Sequence, residues 1–140
     1  MLWNDTDMQW MKRAIALARE GKAEPGKNPI GCVIVRDGQA IGEACNEVDL
    51  RHDATAHAEI LAIGPAGAKL KCNELVDAVL YTTLQPCGMC TMASIWAKSV
   101  VSSMAQAVTM STTCISRIVN STPWISSATL TRTTSRSKAA

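Results

Sequence analysis

Two short stretches constrain this chain more than any other feature. They are Thr55-Ala56-His57-Ala58-Glu59 and Pro86-Cys87-Gly88-Met89-Cys90, whose first cysteine lies thirty positions on from the histidine. One imidazole and two thiols can fill three of the four positions of a tetrahedral zinc ion. Three protein ligands with one position left open is the arrangement of a catalytic zinc, whereas a structural zinc takes four. A carboxylate two residues from the imidazole can exchange protons with whatever occupies the open position. Cys87 and Cys90 stand at i and i+3 and share a face within one helical turn. His57 and Glu59 stand only two apart, which on a mid-helix surface puts them on opposite sides. They converge if both lie in the first turn of a helix whose N-terminus points at the ion. Two helix N-termini aimed at one ion also favour thiolate over thiol.

Local patterning supplies the elements that carry these stretches. Asp5-Thr6-Asp7 offers N-cap chemistry, Met8, Met11, Ile15 and Ala18 follow at helical spacing, and Gly21 closes the segment, so a helix is expected over about 6–20. Lys22 to Asn28 reads as a loop punctuated by Pro25-Gly26 and Asn28-Pro29. The β-branched run Ile30 to Arg36, then Asp37-Gly38, then Ala40 to Asn46 is a hairpin pattern. Glu47 to Asp53 reads as a charged loop. A second helix is expected from Thr55, broken or kinked at Gly64-Pro65 because proline lacks the donor and clashes one turn back. Ala78 to Leu84 reads as a buried strand, and a third helix is expected from Cys87 to about Trp96. The order α-β-β-α-β-α points to a mixed sheet with helices on both faces.

Composition narrows the setting. A chain of 140 residues, 47% apolar, supports one domain with a core. It has no apolar run long enough to span a bilayer. Its start carries Asp5 and Asp7 where a secretory signal would carry a basic region. Six cysteines without such a signal point to a reducing, cytoplasmic compartment, where C-x-x-C reads as metal or redox chemistry before disulfide. The net charge of +2 is misleading. Residues 1–100 hold twelve acidic and ten basic side chains, whereas residues 101–140 hold four basic and no acidic ones. A mildly acidic body argues against a nucleic-acid partner, which leaves a basic footprint, and no membrane partner is expected.

The H-x-E and P-C-x-x-C motifs, in this order and each preceded by a strand, resemble the signature of the cytidine/deoxycytidylate deaminase superfamily of zinc enzymes. The resemblance covers roughly residues 6–100. It implies an α/β fold, a three-layer α-β-α sandwich with a mixed central sheet. It implies one Zn2+ per chain on His57, Cys87 and Cys90, with Glu59 as the catalytic proton carrier. Asn46 falls where the family places an asparagine that hydrogen-bonds the substrate, and Ala58 and Pro86 fall beside it in the implied substrate site. The implied enzyme is a hydrolase acting on the C–N bond of a cyclic amidine. Water whose pKa zinc lowers to about 7 attacks a ring carbon bearing an amine, and ammonia leaves. The family also implies a homodimer or higher homo-oligomer, here through the apolar helix Met89 to Trp96. Trp96 itself is expected to pack this helix.

The substrate branch is divided between local matches. RHDATAHAEI, from Arg51 to Ile60, resembles the RHDPTAHAEI of bacterial tRNA adenosine deaminases and the DPTAHAE of guanine deaminases, with Ala54 in place of the proline. LYTTLQPCGMCT, from Leu80 to Thr91, resembles cytosine deaminases, with Gln85 where glutamate or serine is common. Ser94 to Lys98 resembles the AIYWAR stretch of guanine deaminases. With no basic cluster beside the histidine loop beyond Arg51, the expected substrate is a free nucleobase of the guanine or isocytosine class, which share a 2-amino-4-oxo-pyrimidine ring. Cytosine is next. A tRNA-specific adenosine deaminase is the alternative enzyme. A structural zinc module, completed by Cys72 or His52, is the non-enzymatic alternative. Cys32, Cys45 and Cys114 read as core or incidental.

Residues 101–140 depart from this pattern, with seventeen Ser and Thr in forty positions. Reading each codon from the last base of the one before permits the string YGAGRDDVHHMYFEDR from Ser103 through Val119. That string resembles the strand and continuation expected of a deaminase. The expectation is therefore a zinc deaminase domain over residues 1–100 and a frameshifted, poorly ordered tail over 101–140, with the slip near residues 98–102 and the family's later strands lost. The coding DNA is the direct test.

Overall fold

The computed structural model describes residues 4–103. The elements are α1 (Asp5–Ala23), β1 (Asn28–Arg36), β2 (Gln39–Asn46), α2 (Val48–Arg51), α3 (Ala58–Leu70), β3 (Val79–Thr82), α4 (Gly88–Trp96) and β4 (Val100–Ser103). The sheet runs β2-β1-β3-β4. β1 is antiparallel to both its neighbours, and β3 is parallel to β4.

Side chains alternate across a strand, and β1 shows what this does to the sequence CVIV. Cys32 and Ile34 join Ala58, Ala62, Ala66, Leu75 and Leu80 in the core under α3. Val33 and Val35 join Met11, Ala14, Leu17 and Tyr81 in the core under α1. The central strand is buried on both faces, so its run is continuously apolar. The result is the expected three-layer α/β/α sandwich around a mixed sheet. Among the described residues, no helix is long and apolar enough to cross a membrane.

Two glycines set the spacing of the layers. A Cβ on Gly31 would lie 2.0 Å from the Ala14 carbonyl oxygen of α1, and one on Gly42 would lie 2.2 Å from that of Ala62 in α3. Both helices therefore rest directly on strand backbone. In α3 the contact is made by the alanine row Ala58, Ala62, Ala66, spaced four apart on one face.

The structure corrects several boundaries. Helix α1 is capped by Asn4, whose side chain accepts the Asp7 N–H while Asp7 accepts the Asn4 N–H. It continues past Gly21 to Ala23, because Gly21 is buried where a Cβ would meet the Cys45 sulfur. The expected loop before the histidine motif contains the short α2. Helix α3 begins at Ala58 rather than Thr55, and Pro65 does not break it. Gly64 and Pro65 lie on its exposed side, while the alanine row continues underneath. Strand β3 stops at Thr82, two residues short of Leu84. The fourth strand, expected to be lost, is present: Val100–Ser103 pairs in parallel with Val79–Thr82, and two β-branched valines open it. The remainder of the tail expectation, beyond Ser103, lies outside the described residues.

Candidate active site

The asparagine, histidine and cysteine motifs all lie at one end of the sheet. Cross-strand partners point to the same side, so Ala44, Cys32 and Thr82 form a row across β2, β1 and β3 facing α3. Asn46 continues that face two residues further along β2. The Glu47 N–H donates to the Ala56 carbonyl at 3.0 Å, tying the end of β2 to the residue before His57.

His57 is the N-cap of α3 and Cys87 is the N-cap of α4. Neither side chain makes a capping hydrogen bond, so both are free to turn outward from their helices. This is the end-on geometry that the two-residue spacing of His57 and Glu59 required. Cys90 follows one turn into α4. His57 Nδ1 lies 3.6 Å from Cys87 Sγ and 3.5 Å from Cys90 Sγ, and the two sulfurs are 3.6 Å apart. Zn–S bonds of about 2.3 Å and Zn–N bonds of about 2.0–2.1 Å put neighbouring ligand atoms of a tetrahedral ion about 3.4–3.8 Å apart. The three donors therefore fit zinc in chemistry and in spacing. Cys90 is buried, His57 is half-buried and Cys87 is exposed, so the cluster opens outward on the Cys87 side.

Glu59 is nearly fully buried, at 3% exposure. Its Oε2 accepts from the Cys90 thiol at 3.5 Å, and its Oε1 lies 3.0 Å from the hydroxyl of Thr82, which also lies 3.2 Å from the Leu84 carbonyl. Burial, followed by the charge of Glu59, raises the Cys90 thiol well above its ordinary range. Burial and the same two neighbours raise Cys32 beneath it. A dication among these groups opposes those effects and favours thiolate at Cys90.

Asn46 is 4% exposed, Ala58 is fully buried and Pro86 is half-buried. Among the described residues, the donor cluster consists of His57, Cys87 and Cys90 alone. Cys72 is turned to a separate cleft lined by Ile63, Gly67 and Leu75, where its sulfur accepts the Glu74 N–H. His52 is exposed at the end of α2 in a left-handed conformation. Neither completes a four-ligand structural site. Trp96, expected to pack α4, is 76% exposed, because the buried side of that helix is Cys90, Thr91 and Ser94.

Sequence reading passed over Thr82 as one residue of an apolar strand. The available signal was a hydroxyl on the same face as Leu80, in a strand buried on both sides, where a polar group needs a partner.

Three donors at two helix N-termini, on the edge of an α/β/α sandwich, define a zinc-binding domain in which the described residues supply three ligands. The chain belongs to the family of the cytidine and deoxycytidylate deaminase zinc-binding region, which matches residues 4–107, and zinc is its cofactor. It is 45% identical over 89 residues to the guanine deaminase of Bacillus subtilis (strain 168), covering 64% of this chain and 57% of that one. It is 44% identical over 92 residues to the tRNA-specific adenosine deaminase of Buchnera aphidicola subsp. Schizaphis graminum, covering 66% and 60%. An X-ray structure of the Bacillus subtilis guanine deaminase superposes with a TM-score of 0.65 at 40% identity, over 74% of this chain and 67% of that one. The chain thus spans less than two thirds of the length of these curated relatives.

Proposed function

We propose that this chain is a zinc-dependent hydrolytic deaminase of a free nucleobase of the guanine or isocytosine class. The observation that carries the reading is the outward-opening three-donor cluster with the Glu59 carboxylate beside it. His57, Cys87 and Cys90 would hold zinc, which would supply a Lewis acid that acidifies the attacking water. Glu59 accepts a proton from the attacking water on the oxygen beside Cys90. It passes that proton to the ring nitrogen, then takes the proton of the newly formed hydroxyl and delivers it to the departing amine. The C–N bond breaks, a ring carbonyl forms, and one water is consumed for each ammonia released. Asn46, with the backbone at Ala58 and Pro86, orients the ring.

Similarity to the guanine deaminase and to the tRNA-specific enzyme is nearly equal, at 45% and 44%. The charge arrangement supports the free base. Arg51, the one arginine of the histidine loop, is paired with Glu47, and Lys27 is paired with Glu24 and Glu47. These cations are neutralised within the chain, whereas RNA binding relies on cations available to phosphates. The unpaired thiols Cys32, Cys45, Cys72, Cys87 and Cys90 support a cytoplasmic setting. The exposed Trp96 supports α4 as the contact between copies of a homo-oligomer.

The test is ammonia release from guanine, isocytosine, cytosine and adenosine-bearing RNA. Turnover of guanine or isocytosine is expected. Turnover of the RNA alone, weakening steeply with salt, would replace this reading with the tRNA one.

Thr82 holds one oxygen of Glu59 and leaves the other turned to the ligands. A hydrogen bond to a charged group contributes about 1.5–3 kcal/mol, so Thr82→Val should lower kcat at least about tenfold with little change in KM. Thr82→Ser should restore most of it. Steady-state kinetics on the three proteins decide the point, and equal losses in the serine and valine variants would assign Thr82 to packing alone.

A further inference from the structure

We infer that Asn28 is a positioning residue that fixes which end of the Asn46 amide faces the substrate. The inference rests on the reading of Asn46 as a substrate contact.

An asparagine side chain can turn its oxygen or its nitrogen toward a ligand, and the two atoms are told apart by their partners. Here the partners leave no freedom. The Val48 backbone N–H lies 3.2 Å from the Asn46 side chain, and it can only donate, so the atom it meets is Oδ1. Asn28 lies on the other side. Its Nδ2 is 3.2 Å from Asp49 Oδ2, and an ionised carboxylate only accepts, so the Asn28 atom is nitrogen. The same Nδ2 donates its second hydrogen to Asn46 Oδ1 at 3.1 Å. The polarity of the chain Asp49, Asn28, Asn46, Val48 is therefore set from both ends.

Asn46 Oδ1 accepts two hydrogen bonds and has no acceptor capacity left. Among the described residues its Nδ2 has no hydrogen-bond partner, and it lies on the sheet face shared with Thr82. The site therefore offers a donor here and no acceptor. It selects a base that presents an oxo oxygen or an unprotonated ring nitrogen at this point, and it disfavours one presenting an amine or N–H. Asn28 and Asn46 are paired across β1 and β2, so the arrangement belongs to the sheet itself rather than to a side chain reaching across a loop.

The test uses the full chain loaded with zinc and carrying Glu59→Gln, so that bound base persists and affinity is read by calorimetry instead of turnover. Guanine and isocytosine are the probes. Asn28→Ala should weaken binding about 5- to 10-fold. In the Asn46→Ala background, the same substitution should weaken it no further. Asp49→Asn, at an exposed position, tests the same chain without touching the sheet and should weaken binding about 2- to 3-fold. Binding unchanged by both Asn28→Ala and Asp49→Asn, or an Asn28→Ala loss that persists in the Asn46→Ala background, overturns the inference and leaves the proposed function standing. Neither base binding to the Glu59→Gln parent overturns the proposed function and this inference with it.

Discussion

Glu59→Gln should stop ammonia release while leaving one zinc on each chain. Glutamine matches the carboxylate in size and can keep the contact between Thr82 and its Oε1 at 3.0 Å. It cannot take up the proton of the attacking water or return it to the leaving amine. A positioned proton carrier contributes about 10²–10⁴-fold, and the rate should fall by that much. Ammonia assay and metal analysis on the same preparation check the two halves separately. Full activity in the glutamine variant would remove Glu59 from the mechanism. Lost zinc would show that the substitution had disturbed the ligands, and the rate would then carry no information about proton transfer.

Gly42→Ala should be among the most damaging single-methyl additions in the described fold. The added carbon would stand 2.2 Å from the Ala62 oxygen, which is backbone and cannot swing aside. Helix α3 must lift from the sheet, and its first turn carries His57 and Glu59. Overpacking of this kind costs about 1–3 kcal/mol, which for a domain of this size lowers Tm by roughly 5–20 °C. Zinc affinity should fall with it. Gly64→Ala is the internal control. Nothing lies within 4 Å of its Cβ, and it sits in the exposed side of the same helix. Alanine there should raise stability by about 0.4–1 kcal/mol. Thermal melts of the two variants should shift in opposite directions, and a Gly42→Ala melt equal to the parent would refute the close-packing account.

The ligand pattern was legible in the sequence because chemistry and spacing agreed. His57 and Glu59 demanded a helix start beside them, and α3 begins at Ala58 with His57 as its N-cap, three residues later than the Thr55 start that patterning suggested. The hairpin was legible because Asp37 and Gly38 supply the two positive φ angles, 51° and 71°, that a two-residue turn requires. What local patterning could not supply was tertiary fit. Gly21 looks like a helix stop until Cys45 fills the space beside it. Pro65 looks like a break until its side of the helix is seen to face water. The partners of Thr82 and Asn28 are 23 and 18 residues away, and only the register of β1 with its neighbours brings them together.

The two unfilled caps have a further consequence. His57 and Cys87 begin their helices without the side-chain hydrogen bond that ordinarily steadies a helix start, a contribution of about 1 kcal/mol at each end. Zinc held by both side chains would close the chain between residues 57 and 87 and anchor two first turns at once. Metal supply then becomes a folding variable. Native stability should then rise with the logarithm of free zinc above its dissociation constant, and a chelator should act on this protein as a selective denaturant of the ends of α3 and α4.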